Sequence, residues 1–472
     1  MEDNITVTTL KETGDIHNRN ISDWTMFGLA FKAGRPFIQE CLKQHPKESA
    51  DNWKKRVKEG FNFPYSQNIV NIYNYFLTEK PAVREVDASI AERKDWKEFQ
   101  KDCSLYNTKF DVFLNDSQKL AGAYGTSGIL VDCMPGKFAK DNKPVPYCSL
   151  YTPNNILDWK YERDLLTGRP ELTYLKLKDG ERTYLIWTKE GWGKYRLDAD
   201  ERDIEDWQEG VNSIGIVPFV WFPNIQDIEY PYLGVSDITD AAYVNAAVIR
   251  ALSMGNEVMT MAGFPMLMMP MEDEVESLSG SGGQEEITIS ESSVLDFDPE
   301  FGTGGQPRWL ESPVKPSIEA ILAWLDRITE EMYRAALLHG VHQNRDKAQT
   351  KSGTALRFEF AQTNSALSKK ADSLVEVEKK IIYLWGLWQD KEDVLDKIEI
   401  ARVKEFSIDA MNAEIENMIT SMEHVMSDHF KSKMQVRLAK YSYPDLSEKD
   451  INTIREETKE NLEKEKEEEV SE

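Results

Sequence analysis

Side chains that could perform chemistry are sparse in this 472-residue sequence, and they lack the spacings that catalysis or metal binding requires. The histidines and cysteines form no H-E-x-x-H and no C-x-x-C pattern, the spacings typical of helical zinc sites and of zinc ribbons or redox pairs. They are His17, His45, His339, His342, His424 and His429, with Cys41, Cys103, Cys133 and Cys148. We therefore predict no catalytic residue, no metal ligand and no cofactor.

Phosphate-binding and nucleophile motifs are also missing. No run fits G-x-x-x-x-G-K-[ST], and the glycine-rich stretch at 302–305 has neither the lysine nor a following helix pattern. No G-x-S-x-G turn occurs. These observations argue against a nucleotide-driven motor. The 82 acidic residues make chance carboxylate pairs common, so a two-metal nuclease stays open as an alternative.

The charge balance is strongly negative, because 82 acidic residues face 57 basic ones and leave a formal charge of −25. A broad basic surface that grips nucleic acid is therefore not expected. Residues 339–351 are a local exception, since Arg345, Lys347 and Lys351 stand against Asp346 alone. We predict an exposed loop there, either functional or a plain surface loop. The acidic end, 445–472, is predicted to be a helix that frays.

The elements that would position any site are mainly helical. Helix-like spacing covers residues 23–118, and β-rich runs at 126–132, 147–151, 172–177, 183–187, 194–197 and 217–222 predict one antiparallel sheet module. Asp179-Gly180 is typical of a hairpin turn. The sequence thus predicts an α+β fold class. The apolar stretch 241–271 is interrupted by polar residues, so no membrane span is expected.

The second half of the chain predicts helices separated by an insertion. An Ala-rich helix at 238–261 has Ser236 as its expected N-cap, and short strands follow at 266–269, 286–289 and 294–297. A helix at 316–338 follows, and the longest helical pattern opens at Ser352 and runs to Trp388, about 55 Å. A strand at 398–403 and a helical part at 409–441 complete the chain. The 316–338 helix is predicted to present one apolar face, formed by Ile318, Ile321, Leu322, Leu325, Ile328 and Met332.

Two of these features have more than one interpretation. The longest helix is either the spine of one domain or a packing element of a ring. The methionine cluster is either an adaptable partner surface or core or subunit packing. Its members are Met254, Met259, Met261, Met266, Met268, Met269 and Met271.

The order of these elements resembles the tailed-bacteriophage portal protein family, also called head-tail connectors, over most of the chain. The residues that carry the resemblance are Ile216-Val217-Pro218-Phe219-Val220, Pro231-Tyr232-Leu233-Gly234-Val235-Ser236-Asp237-Ile238, Lys351-Ser352-Gly353-Thr354-Ala355-Leu356 and the segment 151–159. The resemblance implies a ring, usually a dodecamer, at one capsid vertex of the virion, assembled in the host cytoplasm. Double-stranded DNA would pass through it, and its partners would be the terminase large subunit, a head-tail adaptor, and the major capsid and scaffold proteins.

The resemblance also implies an architecture: wing 1–232, stem helices 233–262 and 316–338, clip 263–315, tunnel loop 339–351, long wing helix and strand 352–408, and crown with acidic tail 409–472. The implied tunnel-loop contacts with DNA are His342, Gln343, Asn344, Arg345, Lys347 and Lys351. The implied clip interface is Glu285, Glu286, Asp296, Asp298, Phe301, Arg308 and Trp309. The implied stem packing is Ile238, Ala242, Val248, Leu252, Ile321 and Leu325.

A small-residue helix at 238–261 suits close packing against neighbouring copies, and a negative ring would let DNA slide without holding its phosphates. The predicted mechanism is a passive conduit in which Arg345, Lys347 and Lys351 brake or position the DNA. The alternatives are a scaffold or minor head protein without a channel, and a terminase-type nuclease or ATPase.

Overall fold

The structure is a computed structural model that describes residues 5–79, 81–134, 144–165, 167–263, 266–270, 294–297, 308–310, 314–338, 353–404, 406, 453–454 and 457. The chain divides into two compact units. The sheet unit comprises Met1–His17, Asn71–Ser236 and Gln343–Glu472, and the helix-pair unit comprises Asn18–Val70 and Asp237–His342. The combination of helices with antiparallel sheets confirms the predicted α+β class.

The helices are α1 (Val7–Lys11), α2 (Asp15–Lys32), α3 (Gly34–Cys41), α4 (Ala50–Glu59), α5 (Tyr65–Thr78), α6 (Ala88–Ala91), α7 (Lys94–Lys101), α8 (Phe110–Tyr124), α9 (Ala241–Gly263), α10 (Val314–Ala335) and α11 (Gly353–Trp388). The strands are β1 (Val83–Val86), β2 (Thr126–Met134), β3 (Val145–Tyr151), β4 (Ile156–Arg163), β5 (Pro170–Lys178), β6 (Thr183–Thr188), β7 (Gly191–Leu197), β8 (Ile204–Val211), β9 (Phe219–Pro223), β10 (Met266–Pro270), β11 (Val294–Phe297), β12 (Arg308–Leu310) and β13 (Ile398–Ala401).

The antiparallel pairing predicted for the sheet module is confirmed, but the strands form two separate larger sheets. One is the antiparallel sheet β3-β2-β9, and the other is the antiparallel meander β4-β5-β6-β7-β8. The hairpin at Asp179-Gly180 between β5 and β6 is confirmed, with Gly180 at φ +123°. Strand β8 was not predicted because it is a mostly exposed edge strand, so its sequence lacks an apolar face.

The core of the sheet unit lies where α8 and α11 pack on the β3-β2-β9 sheet. Aromatic side chains dominate one part of this core, where the ring centroids of Trp96 and Trp385 are 5.0 Å apart and those of Phe99 and Phe110 are 5.3 Å apart. Edge-on and tilted contacts of this kind add to the free energy gained from burying apolar area. The aromatic core therefore fixes the C-terminal half of α11 on the sheet.

The long helix predicted at 352–388 is confirmed as α11, which has 36 residues. Its buried apolar side chains include Leu367, Leu374 and Ile381, all packed within the sheet unit. Two charged side chains are buried on it as well. Lys370 Nζ lies 3.5 Å from the ring centroid of Tyr73, and Glu378 accepts hydrogen bonds from two arginines. This burial favours the interpretation of α11 as the spine of one domain.

Several predicted boundaries in the second half need correction. Ser236 does not cap α9, which begins at Ala241; its Oγ donates to the carbonyl oxygen of Ala123, at 2.6 Å, at the end of α8. Helix α10 begins at Val314, which places Pro316 in the first turn, where its missing N–H costs nothing. The strand predicted at 294–297 is confirmed as β11. The strand predicted at 286–289 and the helix predicted at 409–441 lie outside the described residues.

No helix in the described ranges combines the length and the apolar character needed to cross a bilayer.

Candidate subunit interface

The helix-pair unit positions α9 through a buried asparagine. Asn245 has no exposed surface, and its Oδ1 accepts from the backbone N–H of Ser66 at 3.2 Å. Its Nδ2 donates to Asn62 Oδ1 at 2.9 Å and to the Phe63 carbonyl at 3.2 Å. A buried amide must have its hydrogen bonds made, or it destabilises the fold. Asn245 therefore fixes both the depth and the rotation of α9 against the segment 62–66.

An ion pair fixes α9 at a second point. Arg56 on α4 forms a bidentate pair with Glu48, with Nε–Oε1 and Nη2–Oε2 distances of 2.8 and 2.7 Å, and its Nε lies 3.3 Å from Glu257 Oε1 on α9. The hydrogen bond from Arg56 holds the pKa of Glu48 below its usual value. Two carboxylates on one guanidinium thus connect α4, the segment before it and α9.

Helices α9 and α10 pack against each other and run antiparallel. Near one end of the pair, Tyr65 packs edge-on against Tyr333 of α10, with centroids 6.3 Å apart, beside the Ser66 that contacts Asn245. Further along α9, a side-chain carbon added at Gly255 would lie 3.8 Å from Ile321 Cγ2. From the level of Asn245 and Tyr333 to the level of Gly255 and Ile321, residue numbers rise along α9 and fall along α10, so the two helices run in opposite directions.

The outer surfaces of this pair carry large apolar side chains. On α9, Met254 and Met259 are 54% and 50% exposed, and on α10, Leu322 and Trp324 are 55% and 42% exposed. Burial of a side chain of this size is worth about 1.5–3 kcal/mol, so leaving four of them in water is unfavourable. The interpretation of Met254 and Met259 as core residues is therefore wrong, while that of a partner surface or subunit packing stays open.

The apolar face predicted for the second helix needs one correction. Ile318, Ile321, Leu325 and Ile328 are half-buried and Met332 is buried, but Leu322 points to solvent. The helix therefore has a narrower inner stripe than expected, with a second apolar surface outside it. In the sequence, Trp324 is the residue that indicates this second surface, because it lies off the predicted stripe and a helix face that contacts only solvent usually carries polar residues.

The predicted stem-packing residues divide into two groups. Ile238, Ala242 and Val248 are buried within the helix-pair unit. Leu252, Ile321 and Leu325 are half-buried along α9 and α10. The first group is already packed within the chain, so the exposed side chains Met254, Met259, Leu322 and Trp324 are better candidates for contacts with a second copy.

A small sheet lies in the chain between α9 and α10. Strand β10 pairs with β11 in parallel and with β12 antiparallel, giving the order β11-β10-β12. Of the predicted clip residues, Asp296 lies on β11, and Arg308 and Trp309 lie on β12. Glu285, Glu286, Asp298 and Phe301 lie outside the described residues, as do the predicted tunnel-loop residues His342, Gln343, Asn344, Arg345, Lys347 and Lys351.

Two titratable groups of the helix-pair unit have raised pKa values. Burial raises the pKa of the Cys41 thiol to about 12, and the hydrogen bond to Asp23 raises the pKa of Tyr243 to about 12. Both groups thus stay protonated at neutral pH. In the described part of the chain, no group of three or more His, Cys, Asp and Glu side chains could hold a metal ion.

Comparisons with known proteins give similarity only at the level of structure. No protein-family model matches the sequence, and a search of curated proteins finds no match. A chain from a structure described as the neck of an empty GTA particle computed with C6 symmetry is 12% identical, with a TM-score of 0.46, and the match covers 82% of this chain and 94% of that one.

Two further solved structures are similar. A chain from the virion of a native gene transfer agent (GTA) particle is 11% identical, with a TM-score of 0.44 and coverage of 87% of this chain and 98% of that one. A chain from the neck of a native GTA particle computed with C12 symmetry is 11% identical, with a TM-score of 0.42 and coverage of 85% and 98%. TM-scores below 0.5 do not establish a common fold.

Proposed function

We propose that this chain is the subunit of a portal-type ring, a head-tail connector through which double-stranded DNA enters and leaves a phage-like capsid. The proposal rests on the order of the elements, which runs from sheets through α9, a small sheet and α10 to the 36-residue α11. It also rests on the resemblance carried by Pro231–Ile238 and Lys351–Leu356.

The observation that carries the proposal is the antiparallel pair α9/α10. Each helix buries one side within the chain and leaves large apolar side chains on the other, among them Met254 and Leu322. A pair of helices that is apolar on its outside gains stability when it packs against the same pair in adjacent copies. A heterologous contact of this type generates a closed ring when the rotation between adjacent copies closes, which is the arrangement proposed here.

In such a ring the net charge has a mechanical role. Twelve copies, the number implied by the resemblance, would carry a formal charge of about −300, which repels the phosphate backbone over the whole wall. Each Lys or Arg contact to phosphate adds salt-dependent affinity, so a conduit must have few of them. Arg345, Lys347 and Lys351 would make the transient contacts that position or brake the DNA.

The same proposal assigns the partners and the place of action. The small sheet between α9 and α10 would bind the terminase large subunit during packaging and an adaptor protein afterwards, through Asp296, Arg308 and Trp309 among others. The capsid and scaffold proteins would contact the sheet unit, and the assembled ring would reside in the virion. We propose no catalytic activity, and an ATPase assay on the purified chain should give a rate no higher than the buffer alone.

The experiment that tests the subunit interface is the mass of the purified chain in solution. With a subunit of 54.3 kDa, a twelve-membered ring has a mass of about 650 kDa, measurable by mass photometry. A double variant, Leu322→Lys and Trp324→Lys, should shift the population to monomers, because each lysine replaces about 1 kcal/mol of apolar burial with a charge that must be desolvated.

The matched control is Val112→Lys on α8, because Val112 is 47% exposed on a helix of the sheet unit. It should leave the mass distribution unchanged. If the wild-type chain is monomeric at micromolar concentration, or if both variants dissociate the assembly equally, α9 and α10 are not the subunit interface. An assembly without a central hole would instead favour a scaffold or minor head protein.

A further inference from the structure

The last strand of the five-stranded meander, β8, forms an open edge of its sheet. It pairs with β7 on one side, and no strand in the described part of the chain pairs with its other side. The opposite edge, β4, is partly covered, because Gly14 N–H donates to the Leu157 carbonyl at 2.9 Å. An open edge strand presents backbone N–H and C=O groups that can pair with a further strand. At eight residues, β8 is long enough to receive one.

The β7–β8 ladder shows which backbone groups of β8 point away from the sheet. The N–H of Asn212 donates to the Glu190 carbonyl at 2.9 Å, so these two residues form a hydrogen-bonded pair at the end of the ladder. Hydrogen-bonded and non-hydrogen-bonded pairs alternate along an antiparallel ladder. The backbone N–H and C=O groups of Val211, Glu209 and Trp207 therefore point outward. Within the described ranges, no group bonds to them.

Two aromatic side chains of β7 hold this edge in place. A Cβ added at Gly210 would lie 2.6 Å from Trp192 Nε1, so the indole of Trp192 lies directly over the backbone of β8. The hydroxyl of Tyr195 donates to Glu209 Oε1 at 2.6 Å. A strand that is already extended and ordered loses less conformational entropy when a partner binds. The edge is therefore prepared for strand pairing.

Large apolar side chains lie on the open edge. Trp207 is 61% exposed and Val211 is 83% exposed, and their spacing places both on one face of the sheet. Edge strands in contact with solvent are usually protected from pairing by charges, proline or bulges. The register shift of this ladder lies at its far end, between Arg196 and Leu197 of β7, so the run from Trp207 to Val211 is regular. An exposed tryptophan on a regular edge is typical of a binding surface.

The charges of β8 select the kind of strand that can be added. The strand Ile204–Val211 contains Glu205, Asp206 and Glu209 and no basic residue. Glu205 Oε2 lies 3.6 Å from Arg196 Nε, but Glu209 is bonded to a neutral hydroxyl, and Asp206 has no ion pair in the part of the chain that the structure describes. A second copy of β8 would bring more carboxylates to the same edge, and like charges opposite each other destabilise a strand pair. Lysine or arginine side chains would instead be attracted.

We propose that β8 receives an extended basic segment of a partner protein, which pairs with it as a sixth strand of the meander. The backbone of this segment bonds to the outward groups of Trp207, Glu209 and Val211. Its lysine or arginine side chains pair with Asp206 and Glu209, and their stems pack on the indole of Trp207, whose face attracts the cation. Strand β8 and the residues that support it belong to the sheet unit, so the proposal does not depend on the ring.

The test is the binding of a labelled peptide to the 472-residue chain, followed by fluorescence anisotropy at constant ionic strength. The probe is fluorescein-Thr-Lys-Val-Lys-Val-Lys-Val-Thr-amide. A peptoid with the same side chains keeps the charges and has no backbone N–H, so it should bind at least about 10-fold more weakly. The peptide with glutamate in place of each lysine should also bind at least about 10-fold more weakly, because it is repelled by β8.

Variants of one residue separate the backbone contribution from the charge. Proline is tolerated on an edge strand where the N–H faces away from the sheet, so Glu209→Pro keeps the ladder to β7 and removes an outward donor. It should weaken binding of the probe at least about 10-fold, whereas Glu209→Gln, which removes the charge alone, should weaken it about 3-fold. Trp207→Ala should cost about 5-fold or more. The matched control is Glu162→Gln at an exposed position of β4, which should change affinity less than about 2-fold.

Three outcomes would overturn the proposal. They are equal binding of the peptide and the peptoid, equal effects of Trp207→Ala and Glu162→Gln, and no binding of the probe up to about 1 mM. If Glu209→Pro does not fold, Trp207→Ala decides the result, because its side chain is exposed and its replacement leaves the backbone of β8 unchanged.

Discussion

Glu378 on α11 is the residue whose replacement tests most sharply how the long helix is held in the sheet unit. Its side chain has no exposed surface and accepts hydrogen bonds from Arg84 Nε and, at 2.7 Å, from Arg402 Nη2. Arg84 comes from β1 and Arg402 directly follows β13. One carboxylate therefore connects the helix to both strands of the β1-β13 sheet.

The expected size of the effect follows from the burial of the partners. The Arg84 and Arg402 side chains are 12% and 9% exposed, so Glu378→Gln leaves two nearly buried cations with one neutral acceptor. Arg84 retains Asp111 at 2.6 Å, but that carboxylate is 65% exposed and compensates little. Removing one member of a buried ion pair costs about 3–5 kcal/mol, and because Gln keeps one hydrogen bond we expect about 3 kcal/mol.

The assay is urea unfolding followed by tryptophan fluorescence, to which Trp96 and Trp385 of the same core contribute. A loss of about 3 kcal/mol at a slope of about 3 kcal/mol per molar urea lowers the midpoint by about 1 M. The matched control is Glu376→Gln on the same helix, since Glu376 is 63% exposed and pairs with Lys379 at 3.2 Å. It should change the free energy of unfolding by less than about 0.5 kcal/mol.

A midpoint for Glu378→Gln within 0.2 M of the control, on the order of 0.6 kcal/mol, would contradict this expectation, because it would mean that the arginines find water or other acceptors at little cost. A double variant with Arg402→Gln refines the test. If the pair is coupled, the double variant should be less destabilised than the sum of the two single variants.

Three further predictions concern other positions of the fold. Asn245→Ala should lower the free energy of unfolding by about 2–3 kcal/mol in chemical denaturation, because the buried N–H of Ser66 loses its acceptor; an effect below 0.5 kcal/mol, on the order of that at an exposed site, would contradict this. Gly125→Ala should be more destabilising in thermal unfolding than Gly168→Ala. Both glycines have positive φ, at +86° and +68°, but only at Gly125 does an added Cβ meet backbone, 2.3 Å from the Gly234 carbonyl oxygen; equal melting temperatures would contradict this. Burial lowers the pKa of His17, so its contribution to stability is complete above the unfolded value of about 6.5 and is lost as the pH falls from there through the lower pKa of the folded state. The difference in urea midpoint between wild type and His17→Gln should therefore shrink from pH 7.5 to pH 5, and a constant difference would contradict this expectation.

The elements that the sequence predicts well are those whose signal is local. Helix α11 follows from apolar residues at three- and four-residue steps, and β2, β5 and β6 follow from β-rich runs with a turn at Asp179-Gly180. The division into two sheets depends on which strands pair, which no local pattern specifies. The contact between Arg84 and Glu378 joins residues 294 positions apart, so it could not be predicted either.

The candidate interface was predicted only in outline. Apolar periodicity placed helices near α9 and α10, but it could not tell which apolar stripe the rest of the chain covers. The pattern therefore predicts Leu322 on the inner face and allows Met254 as core, subunit packing or partner surface, whereas both side chains are exposed. Residue type alone predicts Ser236 as a helix cap, while in the fold its hydroxyl donates to the carbonyl oxygen of Ala123 at the end of α8.

Electron microscopy of the purified 472-residue chain tests most directly whether the chain assembles as a ring with an open channel. We expect class averages that show rings with a central hole, lost in the Leu322→Lys and Trp324→Lys variant and retained in Val112→Lys. Compact particles without a hole, or single subunits at micromolar concentration, would contradict it.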